Sequence, residues 1–330
     1  MNLVQRLAEI WYGARPSPFW LRALVPLYRM LRALHRAPYR SGWKKPQRLP
    51  VPVIVIGNIT VGGTGKTPLV TALVEALRDR GHRPGVISRG YGGTAGSVEL
   101  LDADSDAARV GDEPVLIHAA TGAPVAVGRD RAAAGRLLLA SHDCDALVAD
   151  DGLQHLALFR DVDICVIDGE RRFGNGLLLP AGPLREPLSR LDSVDFRVCN
   201  GGETRAGEVP MRLAGEVAVS LCDTGEQKPL RDFAGRRVHA VAGIGNPARF
   251  FAMLRGAGID IVEHAFADHH AYTAGDLRFG DDAPVLMTTK DAVKCRAFAH
   301  ADCWQVPVQA ILPQAFFDAI RARIAGFRKT

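Results

Sequence analysis

Short apolar runs alternate with longer amphipathic segments along most of the chain. Each run has the length of a buried strand, and the clearest ones are 51–56, 84–87, 124–127, 146–149 and 162–167. Between the first two runs, residues 69–80 repeat apolar positions at helical spacing, and Gly81 ends that pattern. Strands that alternate with helices from residue 51 to about residue 200 predict an α/β fold, with a mostly parallel sheet and helices on both faces.

The composition of the chain changes near residue 205, after the stretch Gly201-Gly202-Glu203. Beyond it, the pattern predicts further strands at 209–221, 238–242, 259–263 and 285–289, and helices at 248–255 and 314–326. We therefore predict three units. These are an N-terminal helical segment (1–45), a nucleotide-binding domain (46–205) and a smaller C-terminal α/β domain (206–330) that closes over the ligand site.

A glycine-rich turn follows the first predicted strand, ends in Gly-Lys-Thr and leads directly into a helix. This arrangement is the phosphate-binding loop of NTPases and nucleotide kinases. Its backbone N–H groups surround phosphate oxygens, and the helix N-terminus faces the same anion. We expect Lys66 to reach the β- and γ-phosphates and the Thr67 hydroxyl to bind Mg²⁺. The predicted nucleotide-binding residues are Thr60, where the common motif has glycine, and Val61, Gly62, Gly63, Thr64, Gly65, Lys66 and Thr67.

Acidic residues end the apolar run 146–149. Asp150 and Asp151 follow it directly, and P-loop enzymes hold Mg²⁺ at this position, directly or through water. An exposed polar turn is the alternative interpretation. Arg129 begins a helix near the same predicted edge of the sheet. The pair Arg185-Glu186 offers one cation and one anion in a loop, and a local surface ion pair explains it equally well.

The first 45 residues combine many arginines with aromatic and aliphatic side chains. Apolar residues recur at helical spacing at 20, 24, 27, 31 and 34, whereas Arg22, Arg29 and Arg36 repeat on another face. This pattern predicts a basic amphipathic helix that lies in a membrane interface, or a helix that packs its apolar face on the protein. No run reaches the roughly 18 uncharged residues of a spanning helix. No apolar region leads to a signal-peptide cleavage site.

Composition narrows the class of protein only slightly. Of the 330 residues, 47% are hydrophobic and 23% are charged, which is ordinary for a globular chain. A net charge of +5 indicates a mild preference for anionic partners. The six cysteines show no Cys-x-x-Cys pair and no zinc spacing, so we expect reduced thiols in a reducing compartment.

Seven collinear motifs give a more specific indication. They are GNITVGGTGKTP (57–68), SRGYGG (88–93), GDEP (111–114), DDGLQH (150–155), FGNGLLLPAGPLREP (173–187), DHHAYT (268–273) and TTKDAVK (288–294). In these motifs the chain resembles the tetraacyldisaccharide 4'-kinases, which act in the lipid A pathway of Gram-negative bacteria. The phosphate loop is shared by many families, whereas DDGLQH and LPAGPLREP are much more specific.

The resemblance implies a P-loop NTPase-type fold and a lipid kinase. Such an enzyme transfers the γ-phosphoryl group of ATP to the 4'-hydroxyl of tetraacyldisaccharide 1-phosphate and forms lipid IVA, with ATP and Mg²⁺ as cofactors. It would lie peripherally on the cytoplasmic face of the inner membrane, with the N-terminal helix on the bilayer. Its partners would be the glycolipid substrate and the membrane surface, with no nucleic acid and no obligate protein partner.

The resemblance also implies roles for single residues. Asp112 would pair with a histidine of the DHH motif to deprotonate the sugar hydroxyl, and we choose His269 over His270. Closure of the two domains would be needed to bring residue 269 near residue 112. The remaining implied roles are phosphate contact for Lys66, Mg²⁺ binding for Thr67, Asp150, Asp151 and Glu186, and charge neutralisation for Arg129 and Arg185.

Three rival functions explain parts of the same pattern. A P-loop ATPase switch also combines a basic helix with a deviant phosphate loop, but it does not need the DDGLQH, LPAGPLREP or DHH motifs. A soluble small-molecule kinase would not need residues 1–45. A nucleic-acid-binding module would use the N-terminal arginines and show strongly salt-dependent binding. The leucines and Trp20 beside those arginines favour a lipid surface over nucleic acid.

Overall fold

The computed structural model describes residues 3–13, 15–94, 96–102, 104–223, 225–268 and 270–327. The helices in this part of the chain are α1 (Leu3–Tyr12), α2 (Phe19–Arg40), α3 (Lys66–Asp79), α4 (Ala107–Val110), α5 (Asp112–Thr121), α6 (Arg131–Ser141), α7 (Pro247–Gly256), α8 (Thr289–Cys295) and α9 (Gln314–Ala325). Short 3-10 helices span Leu188–Ser193, Leu230–Phe233, Ala274–Leu277 and Arg296–Phe298.

The strands are β1 (Val53–Gly57), β2 (Pro84–Ser88), β3 (Glu99–Leu100), β4 (Val125–Val127), β5 (Ala146–Ala149), β6 (Val162–Asp168), β7 (Phe196–Asn200), β8 (Glu208–Ala214), β9 (Val217–Ser220), β10 (Gln227–Pro229), β11 (Arg237–Ala242), β12 (Asp260–Ala265), β13 (Val285–Thr288), β14 (Cys303–Val306) and β15 (Gln309–Ile311). Within the described residues they form two sheets, ordered β15-β8-β7-β6-β1-β5-β2-β4-β3 and β10-β9-β14-β13-β11-β12.

The first sheet is mostly parallel, and β1 lies near its middle. Val55 of β1 is in register with Ala149 of β5 on one side and with Asp163 of β6 on the other. All residues of β1, β2, β5 and β6 are buried. The α3 and α9 helices cover one face of the sheet and α6 covers the other. The predicted α/β architecture is confirmed, because continuous apolar runs require cover on both faces.

The second sheet is smaller and has β11 and β13 in its interior. The β11 strand is parallel to β12 and β13, and β14 is parallel to β13. The α7 helix packs Phe250, Phe251 and Leu254 on one face, whereas Tyr272 and Cys295 lie in the cluster on the other. Both sheets therefore send loops from the carboxyl ends of parallel strands, where α/β folds place ligands.

The sheets do not divide the chain at the predicted boundary near residue 205. The predicted run 209–221 consists of two strands, because β8 pairs with β7 in the first sheet and β9 pairs with β14 in the second. The chain then returns to the first sheet, where β15 pairs with β8 and α9 joins the core. Backbone pairing of β8 and β15, together with core packing of α9, thus assigns 208–214 and 309–325 to the nucleotide-binding unit, although both ranges lie inside the predicted unit 206–330.

The N-terminal segment forms two helices that rest on the first unit. Trp11 Nε1 donates to the Pro180 carbonyl at 3.0 Å, and the Tyr12 hydroxyl donates to the Val61 carbonyl at 3.1 Å. In α2, Leu21 is buried and Tyr28 packs against the core, whereas the opposite face is exposed. Among the described residues, no helix combines the length and apolar character needed to cross a bilayer.

Candidate active site

A cleft of about 950 Å³ lies between the two sheets. Its floor is the glycine-rich turn between β1 and α3, and its rim includes residues from α5, the β5 end, the 185 region and the second sheet. The predicted site residues that line it are Thr60, Val61, Gly62, Gly63, Thr64, Gly65, Lys66, Thr67, Arg129, Asp150, Asp151 and Arg185. The topology therefore gathers most of the predicted site into one cavity.

The phosphate loop has the backbone shape that its glycines allow. Gly62 and Gly65 both have φ of 93°, in the region that side chains disfavour. Gly65 directly precedes α3, so the first N–H groups of that helix open towards the loop. Asn200 Nδ2 donates to the Thr64 carbonyl at 2.9 Å, and Val61 N donates to the Pro183 carbonyl at 2.9 Å. The loop is thus held from two sides before any ligand binds.

Asp150 is a buried carboxylate, with only 1% of the residue exposed. Neither carboxylate oxygen has a hydrogen-bond partner within the described part of the chain. Burial, with the nearby charge of Glu113, raises the pKa of Asp150 to about 7, although Lys66 acts in the opposite direction. A carboxylate in this position is costly when it is charged and lacks a cation.

Asp151 has the opposite electrostatic environment. Its carboxylate lies 3.7 Å from Lys66 Nζ and 3.0 Å from Arg185 Nη2. Burial alone would raise the pKa of Asp151, but these two cations outweigh it and hold the pKa well below the usual range. Asp151 also has φ of 44°, a conformation that is uncommon outside glycine. Two adjacent aspartates thus differ sharply in their tendency to carry a proton.

An arginine that was not among the predicted site residues holds the backbone of Asp150 and Asp151. Arg131, at the start of α6, is almost fully buried, and its Nη2 donates to the Asp151 carbonyl at 2.8 Å and the Asp150 carbonyl at 3.3 Å. Burial lowers its pKa. Arg129 lines the cleft two residues earlier. Arg131 thus fixes the backbone of the two aspartates, and both arginines line the cleft.

The second sheet contributes two lysines from α8. Lys290 Nζ lies 3.1 Å from Asp268 Oδ1 and 3.6 Å from Glu113 Oε1. Burial would lower the pKa of Lys290, but these carboxylates outweigh that effect and raise it. Lys294 Nζ lies 3.1 Å from Asp112 Oδ2, and both side chains are largely buried. The two acids at the start of α5 thus meet two cations from across the cleft.

The histidines of the DHH motif are only partly described. His269 lies outside the described residues, so its predicted pairing with Asp112 stays a prediction. His270 is half-buried, packs its ring against Phe266 and Tyr272, and has its Nε2 3.5 Å from Asp276. His270 is not part of the cleft lining.

Glu186 does not face the cleft, in contrast to its predicted neighbours in the Mg²⁺ set. Its carboxylate accepts from Gln154 Nε2 at 2.8 Å and from Arg36 Nη1 at 2.8 Å. Arg185, the residue before it, does enter the cleft and donates to Asn58 and Asp151. Arg185 and Glu186 therefore make separate contacts, and the alternative interpretation of a local ion pair between them does not describe this structure.

Loops of the two sheets touch directly beside the phosphate loop. Arg171 Nη2 donates to the Gly63 carbonyl at 2.7 Å, and Arg171 Nη1 donates to the Gly245 carbonyl at 2.6 Å. Asp168, at the end of β6, holds Arg171 at 2.9 Å and Arg249 at 2.8 Å. Any Cβ on Gly245 would collide with the backbone nitrogen of Gly63. The contact therefore depends on glycine at this position.

Comparison with known proteins decides between the functions that this site allows. A family model described as Tetraacyldisaccharide-1-P 4'-kinase (LpxK) matches residues 18–325, which includes both sheets and α2. The chain belongs to the tetraacyldisaccharide-1-phosphate 4'-kinase family. Tetraacyldisaccharide 4'-kinases of Stenotrophomonas maltophilia and Xanthomonas euvesicatoria are both 53% identical to it, over 96% and 97% of this chain and 96% of each relative.

A solved structure supports the same assignment. LpxK from Aquifex aeolicus, crystallised in complex with ATP, has a TM-score of 0.75 and 28% identity, and the match covers 92% of this chain and 99% of that chain. The predicted family, P-loop fold and function are confirmed. The chain is an ATP-dependent kinase that phosphorylates the tetraacyldisaccharide precursor in lipid A biosynthesis.

Several residues of this kinase site were missed from sequence alone. They are Asn58, Glu113, Arg131, Gln154, Arg171, Lys290 and Lys294. Asn58, Glu113, Gln154 and the two lysines lie inside motifs that carry the family resemblance, which was the available signal. Arg171 has no such signal, because its partners Gly63 and Gly245 are 108 and 74 residues away in sequence.

Proposed function

We propose that the cleft between the sheets binds ATP and the sugar end of the lipid, and that phosphoryl transfer takes place there. The observation that carries this proposal is the position of the Asp150 and Asp151 carboxylates beside Lys66, at the end of the phosphate loop. In this proposal residues 60–67 hold the phosphates, and Lys66 contacts the β- and γ-phosphates. Arg129 and Arg185 offset the charge that develops on the transferring group.

Mg²⁺ fits the groups that this site offers. The buried Asp150 carboxylate has no protein partner in the described residues, and a divalent cation would satisfy it. The same residues include no group of three or more His, Cys, Asp or Glu side chains arranged to hold a metal ion. Mg²⁺ binds through one or two carboxylates together with phosphates and water, and the two aspartates beside the phosphate loop suit this mode. Thr67, Asp150 and Asp151 would hold it, and the cation would neutralise phosphate charge.

Asp112 and His269 would deprotonate the 4'-hydroxyl of the acceptor. The contact that supports the first half of this proposal is the Lys294 ammonium group, which lies 3.1 Å from the Asp112 carboxylate. An ionised Asp112 would orient the imidazole and stabilise it after it accepts the proton. The hydroxyl oxygen would then attack the γ-phosphorus, the bond from that phosphorus to the leaving ADP oxygen would break, and the proton would stay on histidine.

The exposed face of α2 supports membrane docking. Phe19, Trp20 and Leu34 expose 85%, 61% and 62% of their surface, and Leu24, Leu27 and Leu31 lie on the same helix with high exposure. Apolar side chains beside arginines suit an interface with anionic lipid, to which each arginine contributes about 1 kcal/mol near the surface. We infer that α2 holds the kinase on the cytoplasmic face of the inner membrane, where its glycolipid substrate lies.

The proposed site is tested by phosphate transfer from γ-labelled ATP to tetraacyldisaccharide 1-phosphate in mixed detergent micelles. Wild-type protein should label the lipid, and Lys66→Ala should lose at least 10³-fold of that rate, as expected for loss of a phosphate clamp. ATP hydrolysis without labelled lipid would instead indicate a switch ATPase. Labelling at an equal rate by Lys66→Ala would place the chemistry elsewhere.

Substitution of each histidine tests the proposed base. We expect His269→Ala to lose about 10²- to 10⁴-fold in turnover, the range for removal of a general base. His270→Ala should lose much less, because its ring packs on Phe266 and Tyr272 away from the cleft. The reverse result would show that the DHH motif is correct and that the assignment of its base is wrong.

A further inference from the structure

Two arginines of α2 contact a carboxylate that lies behind the nucleotide cleft. Arg36 Nη1 is 2.8 Å from Glu186 Oε2, and Arg32 Nη2 is 3.4 Å from the same oxygen. The Glu186 side chain is only 4% exposed, so removal of these arginines would leave a buried carboxylate with fewer partners. Arg190 is the next cation, at 3.9 Å.

Glu186 connects these arginines to a side chain that lines the cleft. Gln154 Nε2 donates to Glu186 Oε1 at 2.8 Å and to the Asn58 carbonyl at 3.0 Å. Both partners are acceptors, so the amide nitrogen must face them, and the Gln154 carbonyl oxygen remains as the acceptor available to the cleft. The orientation of Gln154, which lines the cleft as Asp151 does, is therefore set by Glu186 together with the Asn58 carbonyl.

A second contact from α2 reaches the same dipeptide. The Tyr28 hydroxyl donates to the Arg185 carbonyl at 2.9 Å. The guanidinium group of Arg185 donates in turn to Asp151 at 3.0 Å. The helix thus holds the backbone of one residue and the side chain of the next, and both of these residues contact groups that line the cleft.

We propose that Arg36, assisted by Arg32, is a positioning residue of the kinase, which acts through Glu186 on Gln154. The proposal rests on the phosphoryl-transfer site described above. It gives α2 two separate functions, because the exposed face meets lipid while the arginines of its C-terminal half hold Glu186 behind the wall of the site. Residues behind the ligands of metal sites typically contribute 10- to 100-fold to activity or affinity, and we expect an effect of about this size here.

The same helix offers a matched control. Arg22 and Arg29 continue the seven-residue spacing of Arg36, and both are exposed. Neither has an ion pair with any residue in the described part of the chain. Removal of these two arginines therefore changes the charge of α2 as much as removal of Arg32 and Arg36 does, while Glu186 keeps its partners. A purely electrostatic membrane function predicts the same effect for both pairs.

The experiment compares Arg32→Gln/Arg36→Gln with Arg22→Gln/Arg29→Gln in micelles of uncharged detergent. We expect the first double variant to lose roughly 10- to 100-fold in kcat with little change in KM for the lipid, and the control to stay within about twofold of wild type. Binding to anionic vesicles, measured by co-sedimentation, should fall by about the same factor in both double variants. Equal kcat in the two double variants would overturn the proposal.

Hydrogen–deuterium exchange tests the contact independently of activity. Backbone amides in peptides that cover 152–158 and 184–190 should exchange faster in the Arg32/Arg36 double variant and at the wild-type rate in the control. Unchanged exchange would overturn the proposal even if activity fell. If exchange is faster but the wild-type protein has no kinase activity, the contact from α2 is supported and the proposed function is wrong. If the double variant melts at a lower temperature than wild type, the single variants Arg36→Lys and Arg36→Gln are compared. Arg36→Lys keeps the charge beside Glu186 and should have most of the wild-type kcat, and a kcat as low as that of Arg36→Gln would count against the proposal.

Discussion

The two sides of the cleft hold their charged groups by different means. On the side of the first sheet, Lys66 and Asp151 contact each other within one unit, and Arg131 fixes the acid-bearing turn through backbone carbonyls. On the side of the second sheet, Lys290 contacts Asp268 of its own unit at 3.1 Å and Glu113 across the cleft at 3.6 Å, and Lys294 contacts Asp112 across the cleft at 3.1 Å. After the proposed function, we call the first the nucleotide side and the second the acceptor side. The charged groups of the nucleotide side pair within one unit, whereas the lysines of the acceptor side also contact Glu113 and Asp112 of the other unit.

The contact between Gly63 and Gly245 is the point at which loops of the two sheets touch. The glycine loop after β11 packs against the phosphate loop so closely that a side chain does not fit. Arg171 joins the carbonyls of both residues. Movement of the second sheet would therefore displace the phosphate loop directly.

The largest effect should follow a change on the nucleotide side. Asp150→Asn keeps the shape of the side chain but removes its charge, and we expect a loss of about 10³-fold in lipid labelling. Asp143→Asn is the control, because that aspartate lies on the surface. A loss of less than tenfold in Asp150→Asn would exclude Asp150 from the proposed cation site.

The same substitution has an expected effect on stability with the opposite sign. Burial raises the pKa of Asp150 to about 7, so between about pH 4 and pH 7 the folded protein binds a proton that the unfolded chain has released. Stability of the nucleotide-free wild type should fall as pH rises through this window. Asp150→Asn should therefore melt higher than wild type at pH 8, by about 5 °C, with a smaller difference near pH 5. A pH-independent difference in melting temperature would contradict this origin.

An intermediate effect should follow a change where the two sides touch. Gly245→Ala adds a methyl group that collides with Gly63, so the loops must separate. A displacement of about 1 Å can cost up to 10²-fold in rate, and we expect a 10- to 100-fold loss of kcat/KM. Gly256→Ala is the matched control, since open space surrounds that position. Equal activity of the two variants would show that the contact is not required.

A smaller effect should follow a change on the acceptor side. Lys294→Gln removes the cation beside Asp112, and loss of about 1.4 kcal/mol of charge stabilisation predicts a roughly tenfold lower kcat. ATP affinity should be unchanged, because Lys294 does not line the cleft. The kcat and the ATP dissociation constant are measured in parallel. Weaker ATP affinity with a normal kcat would show that Lys294 acts on the nucleotide side.

Local patterns predicted the nucleotide side better than the acceptor side. The phosphate loop and Asp150-Asp151 are each continuous in sequence, so strand and turn signals located them. Glu186 was predicted as a Mg²⁺ ligand, but its partner Arg36 is 150 residues away and no local pattern indicates that pairing. The boundary predicted near residue 205 differs from the division between the two sheets for the same reason, because β8 and β15 join the first sheet through long-range pairing.

The most direct test of the two-sided cleft is a single-turnover measurement on Asp112→Asn, together with a titration of ATP binding. Asp112 lies at the start of α5 on the nucleotide side and contacts Lys294 from the acceptor side. We predict ATP affinity within about threefold of wild type and phosphoryl transfer to the lipid slower by about 10³-fold, as for loss of general-base support. Transfer at the wild-type rate, or equal losses of ATP binding and transfer, would contradict the division of work between the two sides.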